Sequence, residues 1–77
     1  MIPKEHELVV LLKPVPGQQL EAGDVGTIVH VYPENAAFEV EFVALDGHTT
    51  AVVTIPLSDV RPVTPRDMMH TRERRSA

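Results

Sequence analysis

Ala37-Phe38-Glu39-Val40-Glu41-Phe42-Val43 is the stretch that decides the fold. Phe38, Val40 and Phe42 alternate with Glu39 and Glu41, so one face is apolar and the other charged. A repeat of two is the period of a strand with one wet face. Downstream, Asp46-Gly47 is a hairpin signal between two β-rich runs. His48 to Ile55 reads as the next strand. Pro56-Leu57-Ser58-Asp59 ends it in one tight helical turn, and Val60 to Val63 makes a short last strand. Pro62 and Pro65 confine that strand to an edge or an end. Upstream, Pro33-Glu34-Asn35-Ala36 is a turn, and Val25 to Tyr32 is a strand rich in β-branched residues. Gly26 interrupts it, which marks a bulge or a close backbone approach. Val15 to Asp24 is a loop anchored by Leu20. Leu8 to Leu12 is a short apolar run, too short for a core helix, and reads as a strand buried on both faces. Pro14-Val15-Pro16-Gly17 ends it.

Five short strands, one long early loop and a tight turn before the last strand predict an all-β small barrel, because closure removes the edges of so small a sheet. The expected inward set is Leu8, Val10, Leu12, Val29, Val31, Phe38, Val40, Phe42, Val53, Ile55, Leu57 and Val60. A bulge at Gly26 would flip the alternation in the second strand. The expected organisation is an N-terminal extension over 1–5, the barrel over 6–64, and a flexible basic tail over 65–77. That tail has no strand period, and reads as a frayed end or a segment ordered by a partner.

The chain has 77 residues and no cysteine. That length excludes a two-domain enzyme. The missing thiols exclude a disulfide scaffold and Cys-rich structural zinc. No apolar run approaches the roughly 20 residues that cross a bilayer. Met1 to Glu7 is polar and carries Pro3, unlike a signal peptide. The expectation is a soluble, cytoplasmic domain without membrane contact. So small a core is modestly stable, and a homo-oligomer would help it.

Charge is unevenly spread. Up to residue 65, three Lys and Arg face nine Asp and Glu, a net charge of -6. Residues 66–77 hold four Arg against two acidic residues, a net charge of +2. An acidic body repels phosphate and favours a basic partner surface. It also serves solubility.

The string Leu20-Glu21-Ala22-Gly23-Asp24-Val25-Gly26-Thr27-Ile28-Val29-His30-Val31-Tyr32, with Phe38-Glu39-Val40-Glu41-Phe42-Val43, Asp46-Gly47 and Val60-Arg61-Pro62-Val63, resembles an uncharacterised family of short bacterial proteins, a domain-of-unknown-function family. The resemblance covers about residues 6 to 63. The chain is also similar to the SH3-like small barrels, in which a G-D-x-G-x-(I/V) approach to the second strand recurs in ribosomal and transcription-factor domains, a photosystem subunit and a thioredoxin-reductase subunit. The resemblance implies a five-stranded SH3-like barrel and no assigned catalysis. It also implies an accessory or antitoxin-like role beside a neighbouring protein.

The candidate chemistry is sparse. His6, His30, His48 and His70 fit no local metal-ligand spacing, so no metal is expected. Gly23 and Gly26 lack the third glycine, the lysine and the helix of a phosphate cradle. Ser58 and Asp59 have no base beside them and read as a turn cap. Tyr32, Thr49 and Thr50 would line the groove beside the long loop, but a proline-peptide reader needs more aromatics than one Tyr and two Phe. Glu39 and Glu41 share a strand face as a solvated surface or an acidic patch for a basic partner. Arg72, Arg74 and Arg75 offer weak, salt-sensitive attraction to phosphate or to an acidic partner.

These residues predict a non-enzymatic protein-binding module with no catalytic residue and no cofactor. Its contact face is Tyr32, Glu39, Glu41 and His48, expected to be exposed on adjoining central strands. The rival is a nucleic-acid-binding barrel that uses the basic tail. Against it, residues 6 to 63 lack the basic, aromatic-bearing face such a barrel needs.

Overall fold

The computed structural model describes residues 2–74. The expectations for Met1, Arg75, Ser76 and Ala77 lie outside the described residues. The chain runs β1 (Leu8–Leu11), β2 (Val25–Val31), β3 (Ala37–Val43), β4 (Thr49–Pro56) and β5 (Val60–Pro62). Single 3-10 turns stand at Pro16–Gln18, Pro33–Asn35 and Leu57–Asp59. Among the described residues there is no α-helix. The protein is all-β, with one antiparallel sheet of five strands in the order β4-β3-β2-β1-β5.

The first strand made is an inner strand, flanked by β2 on one side and by β5 on the other. The outermost strands, β4 and β5, are consecutive and joined by the 3-10 turn at Leu57–Asp59. Among the described residues no ladder joins them, so the sheet is not closed by hydrogen bonds. Two bonds hold the turn between the edges: Leu57 N–H donates to Ala36 C=O at 3.1 Å, and Leu12 N–H to Asp59 C=O at 2.8 Å.

The core lies on one face. Val9, Leu11, Leu20, Ile28, Phe38, Val40, Phe42, Ala51, Ile55 and Val60 form one buried cluster, against which Val15, Val31 and Val53 pack. The β3 alternation holds as expected. The expectations for β1 and β2 need correction. Leu8 and Leu12 are exposed, while Val9 and Leu11 point into the cluster. Val10 is buried as well, but it stands outside that cluster. The whole run is apolar, so composition carried no phase. In β2 the register slips between Ile28 and His30, leaving Val29 as the extra residue of a bulge. Ile28 is therefore fully buried and Val29 exposed. Leu57 is exposed too: it lies in the expected turn, at its first position, and does not reach the core.

Gly26 is not the bulge. It is a close approach. A Cβ there would sit 2.5 Å from Val40 Cγ1 and 2.9 Å from both the Glu41 carbonyl oxygen and Phe42 Cε1. Only a residue without a side chain lets β2 lie this close across β3.

Candidate functional site

The bulge at Val29 sets which β2 residues share a face with the β3 glutamates. Glu41 stands opposite Thr27 and Val52, and Glu39 opposite His30 and Thr54. Successive β3 residues alternate faces, so Glu39 and Glu41 lie on the side away from the Phe38, Val40 and Phe42 core. Both are half-buried rather than free in solvent. Each is held from β4: Thr49 Oγ1 donates to Glu41 Oε2 at 2.6 Å, and Thr54 Oγ1 donates to Glu39 Oε1. Among the described residues neither glutamate pairs with a cation.

Tyr32 follows β2 and is half-buried. The His30 and Tyr32 rings meet edge to face, with centroids 4.7 Å apart. Tyr32, His30 and Glu39 thus form one end of this acidic face. His48 stands apart from that group. It is exposed in the turn between β3 and β4, where its backbone N–H lies 3.1 Å from Asp46 Oδ1 and its Nδ1 3.0 Å from Asp46 Oδ2. The His48 N–H, then its ring, hold the Asp46 carboxyl below the usual carboxylate range. So the structure places Glu39, Glu41 and Tyr32 on one surface, adds His30, Thr49 and Thr54, and leaves His48 at the rim. The threonines were legible only once the register was known.

Thr50 and Tyr32 do not share a groove. Thr50 is the extra residue of a second irregularity, opposite Phe42 and Val43, and its Oγ1 donates to Phe42 C=O at 2.9 Å. It borders a cleft of about 900 Å³ between the sheet and the tail, lined by Leu8, Val25, Val43, Leu45 and Met68 among others.

The tail forms the other wall. Residues 65–74 contain neither strand nor helix. Arg61 grips Asp67 with two bonds, Nη2 to Oδ1 at 2.7 Å and Nη1 to Oδ2 at 3.0 Å, and the Thr64 N–H donates to Asp67 Oδ2 at 2.7 Å. Arg61, then the Thr64 N–H, push the Asp67 carboxyl far below its ordinary value. Farther along, Arg72 Nε donates to Asp24 Oδ1 at 2.9 Å, while its Nη2 reaches Asp24 Oδ2. Partial burial works to raise the Asp24 pKa. The Arg72 hydrogen bonds and the Glu21 N–H outweigh it, and the carboxyl stays low. The same pairing raises Arg72. Two of the tail arginines are therefore engaged on the acidic body, since Arg74 Nε also donates to Gln18 C=O at 3.0 Å.

Among the described residues no three His, Cys, Asp or Glu side chains converge as a metal site. None of the described helical segments is long and apolar enough to cross a membrane. A single antiparallel sheet with an acidic outer surface and a clamped tail defines a small all-β domain. The chain belongs to the family described as a domain of unknown function (DUF4926), whose family model matches residues 5–62. No curated protein and no solved structure matches the chain.

Proposed function

We propose that this protein is a non-enzymatic protein-binding module of SH3-like type, cytoplasmic and bacterial, acting as an accessory or antitoxin-like partner of a neighbouring protein. Its sheet is read as a small barrel left unzipped between β4 and β5. The strand order and the 3-10 turn before β5 support that reading. One observation carries the function. Glu39 and Glu41 stand side by side on the outer face, oriented by Thr54 and Thr49, with no cation beside them among the described residues. Carboxylates fixed in this way favour a basic surface and disfavour an acidic one, which sets specificity and encounter rate. Tyr32 and His30 add aromatic contact at one end, and His48 extends the rim.

The test is a pull-down from native-host extract with the intact chain and with Glu39→Lys/Glu41→Lys. The expected result is one stoichiometric protein that the double variant fails to retain. Retention unchanged by charge reversal would remove the acidic face from the proposal. Recovery of nucleic acid in place of protein would favour the rival reading.

A further inference from the structure

The loop between β1 and β2 is held by bonds of its own that do not involve the tail. Val15 and Leu20 exchange backbone bonds at 2.9 and 3.2 Å, and Leu20 is buried in the core. Gln19 holds a φ of 52°, and its carbonyl oxygen accepts from Arg72 Nη2 at 3.2 Å. Leu11 ties the other end of the loop down, donating to Asp24 C=O and accepting from Gly23 N–H, both at 2.8 Å. The Glu21 N–H donates to Asp24 Oδ2 at 2.8 Å and so aims that carboxylate. Glu21 Oε2 lies 3.6 Å from Arg72 Nη1. Arg72 also walls a hollow of about 240 Å³ with Pro14, Pro16 and Leu20.

One planar guanidinium is therefore read by a two-pronged carboxylate, a backbone carbonyl and a second carboxylate, and Gln18 C=O takes the arginine two residues on. This is fork geometry that a lysine ammonium does not reproduce. The loop is fastened to the core, whereas residues 65–74 carry no strand and no helix.

We propose that this loop is an arginine-recognition site, occupied in cis by the chain's own tail. Its ligand in trans is an extended protein segment with arginines two residues apart. The tail is then a tethered competitor, and a partner binds by replacing Arg72 and Arg74. This site is separate from the acidic sheet face and does not rest on that reading.

The experiment uses the full chain and a fluorescent peptide of the sequence Thr-Pro-Arg-Asp-Met-Met-His-Thr-Arg-Glu-Arg, followed by anisotropy at low salt. A tethered competitor acts at an effective concentration of order millimolar, so the Arg72→Ala/Arg74→Ala chain should bind at least about ten-fold tighter than the unaltered chain. Adding Asp24→Asn to that variant should abolish binding. Adding Glu21→Gln instead, which leaves the backbone turn intact, should weaken it several-fold. A peptide with lysine at both terminal arginine positions should also bind several-fold more weakly. Equal binding to the unaltered chain and to the Arg72→Ala/Arg74→Ala chain, or no binding to that double variant, would overturn the proposal. So would binding indifferent to both Asp24 and Glu21, or to arginine against lysine. Amide spectra of each variant separate lost binding from lost folding. Glu39 and Glu41 are untouched throughout, so failure here leaves the sheet-face reading standing.

Discussion

Arg72 and Asp24 lie 48 residues apart in the chain and meet as a two-pronged ion pair, with both side chains mostly out of solvent. The pair joins the basic tail to the acidic body, so part of the charge asymmetry in the sequence is used inside the molecule. Replacing Arg72 with Ala should free residues 68–74 without unfolding the sheet, while Arg61 and the Thr64 N–H keep Asp67 in place. Fast hydrogen exchange and sharpened resonances confined to those residues would show it. The cost in global stability should be about 1 kcal/mol or less, because the pair is partly hydrated and holds no strand.

Acid should release the same segment. Asp24 and Asp67 both have folded-state pKa values below the ordinary carboxylate value. A lowered pKa contributes stability that is complete above the unfolded value, near 4, and is lost as pH falls through the folded value. The tail should stay clamped at neutral pH and loosen only below the normal carboxylate range. A pH series of tail amide shifts checks this. Release between pH 6 and 8 would contradict it.

Gly26→Ala should destabilise the fold by about 2 kcal/mol or more, since its Cβ meets Val40 and the backbone of Glu41 at contact distances that no side chain tolerates. Urea denaturation is the measurement. Gly17→Ala is the comparison, because a Cβ there meets nothing within 4 Å.

The bulge predicts a sharp contrast between adjacent residues. Ile28→Ala should cost about 2–5 kcal/mol, as a fully buried side chain leaves a cavity. Val29→Ala should change stability by no more than about 0.5 kcal/mol. Equal losses at the two positions would mean that the register slip is misplaced.

Much of this architecture was legible in the chain. The Phe38-Val40-Phe42 alternation carried its own phase, so β3 and its core face followed directly. Asp46-Gly47 and Pro56 marked the ends of β4 to within a residue. The first strand was found but not oriented, because five apolar residues in a row give no contrast between faces. Of the two readings Gly26 allowed, the close approach holds, whereas the bulge lies three residues on at Val29, among β-branched residues that look alike. At the candidate site the glutamates were visible as a pair. The threonines that hold them were not, because cross-strand partners depend on a register that also slips at Thr50. Arg72 and Asp24 carried opposite charges in plain view, but nothing in their spacing said that they would meet.

The inner position of β1 bears on how the molecule is made. Synthesis produces β1 well before β5, yet they are neighbours. Until β5 emerges, β1 has one unpaired edge and Val60 is missing from the core. Completion of the core then waits on a pairing between strands far apart in the chain. A nascent chain stalled before β5 would present a raw, apolar strand margin to its neighbours, and a truncated product would be a seed for aggregation rather than a smaller working domain.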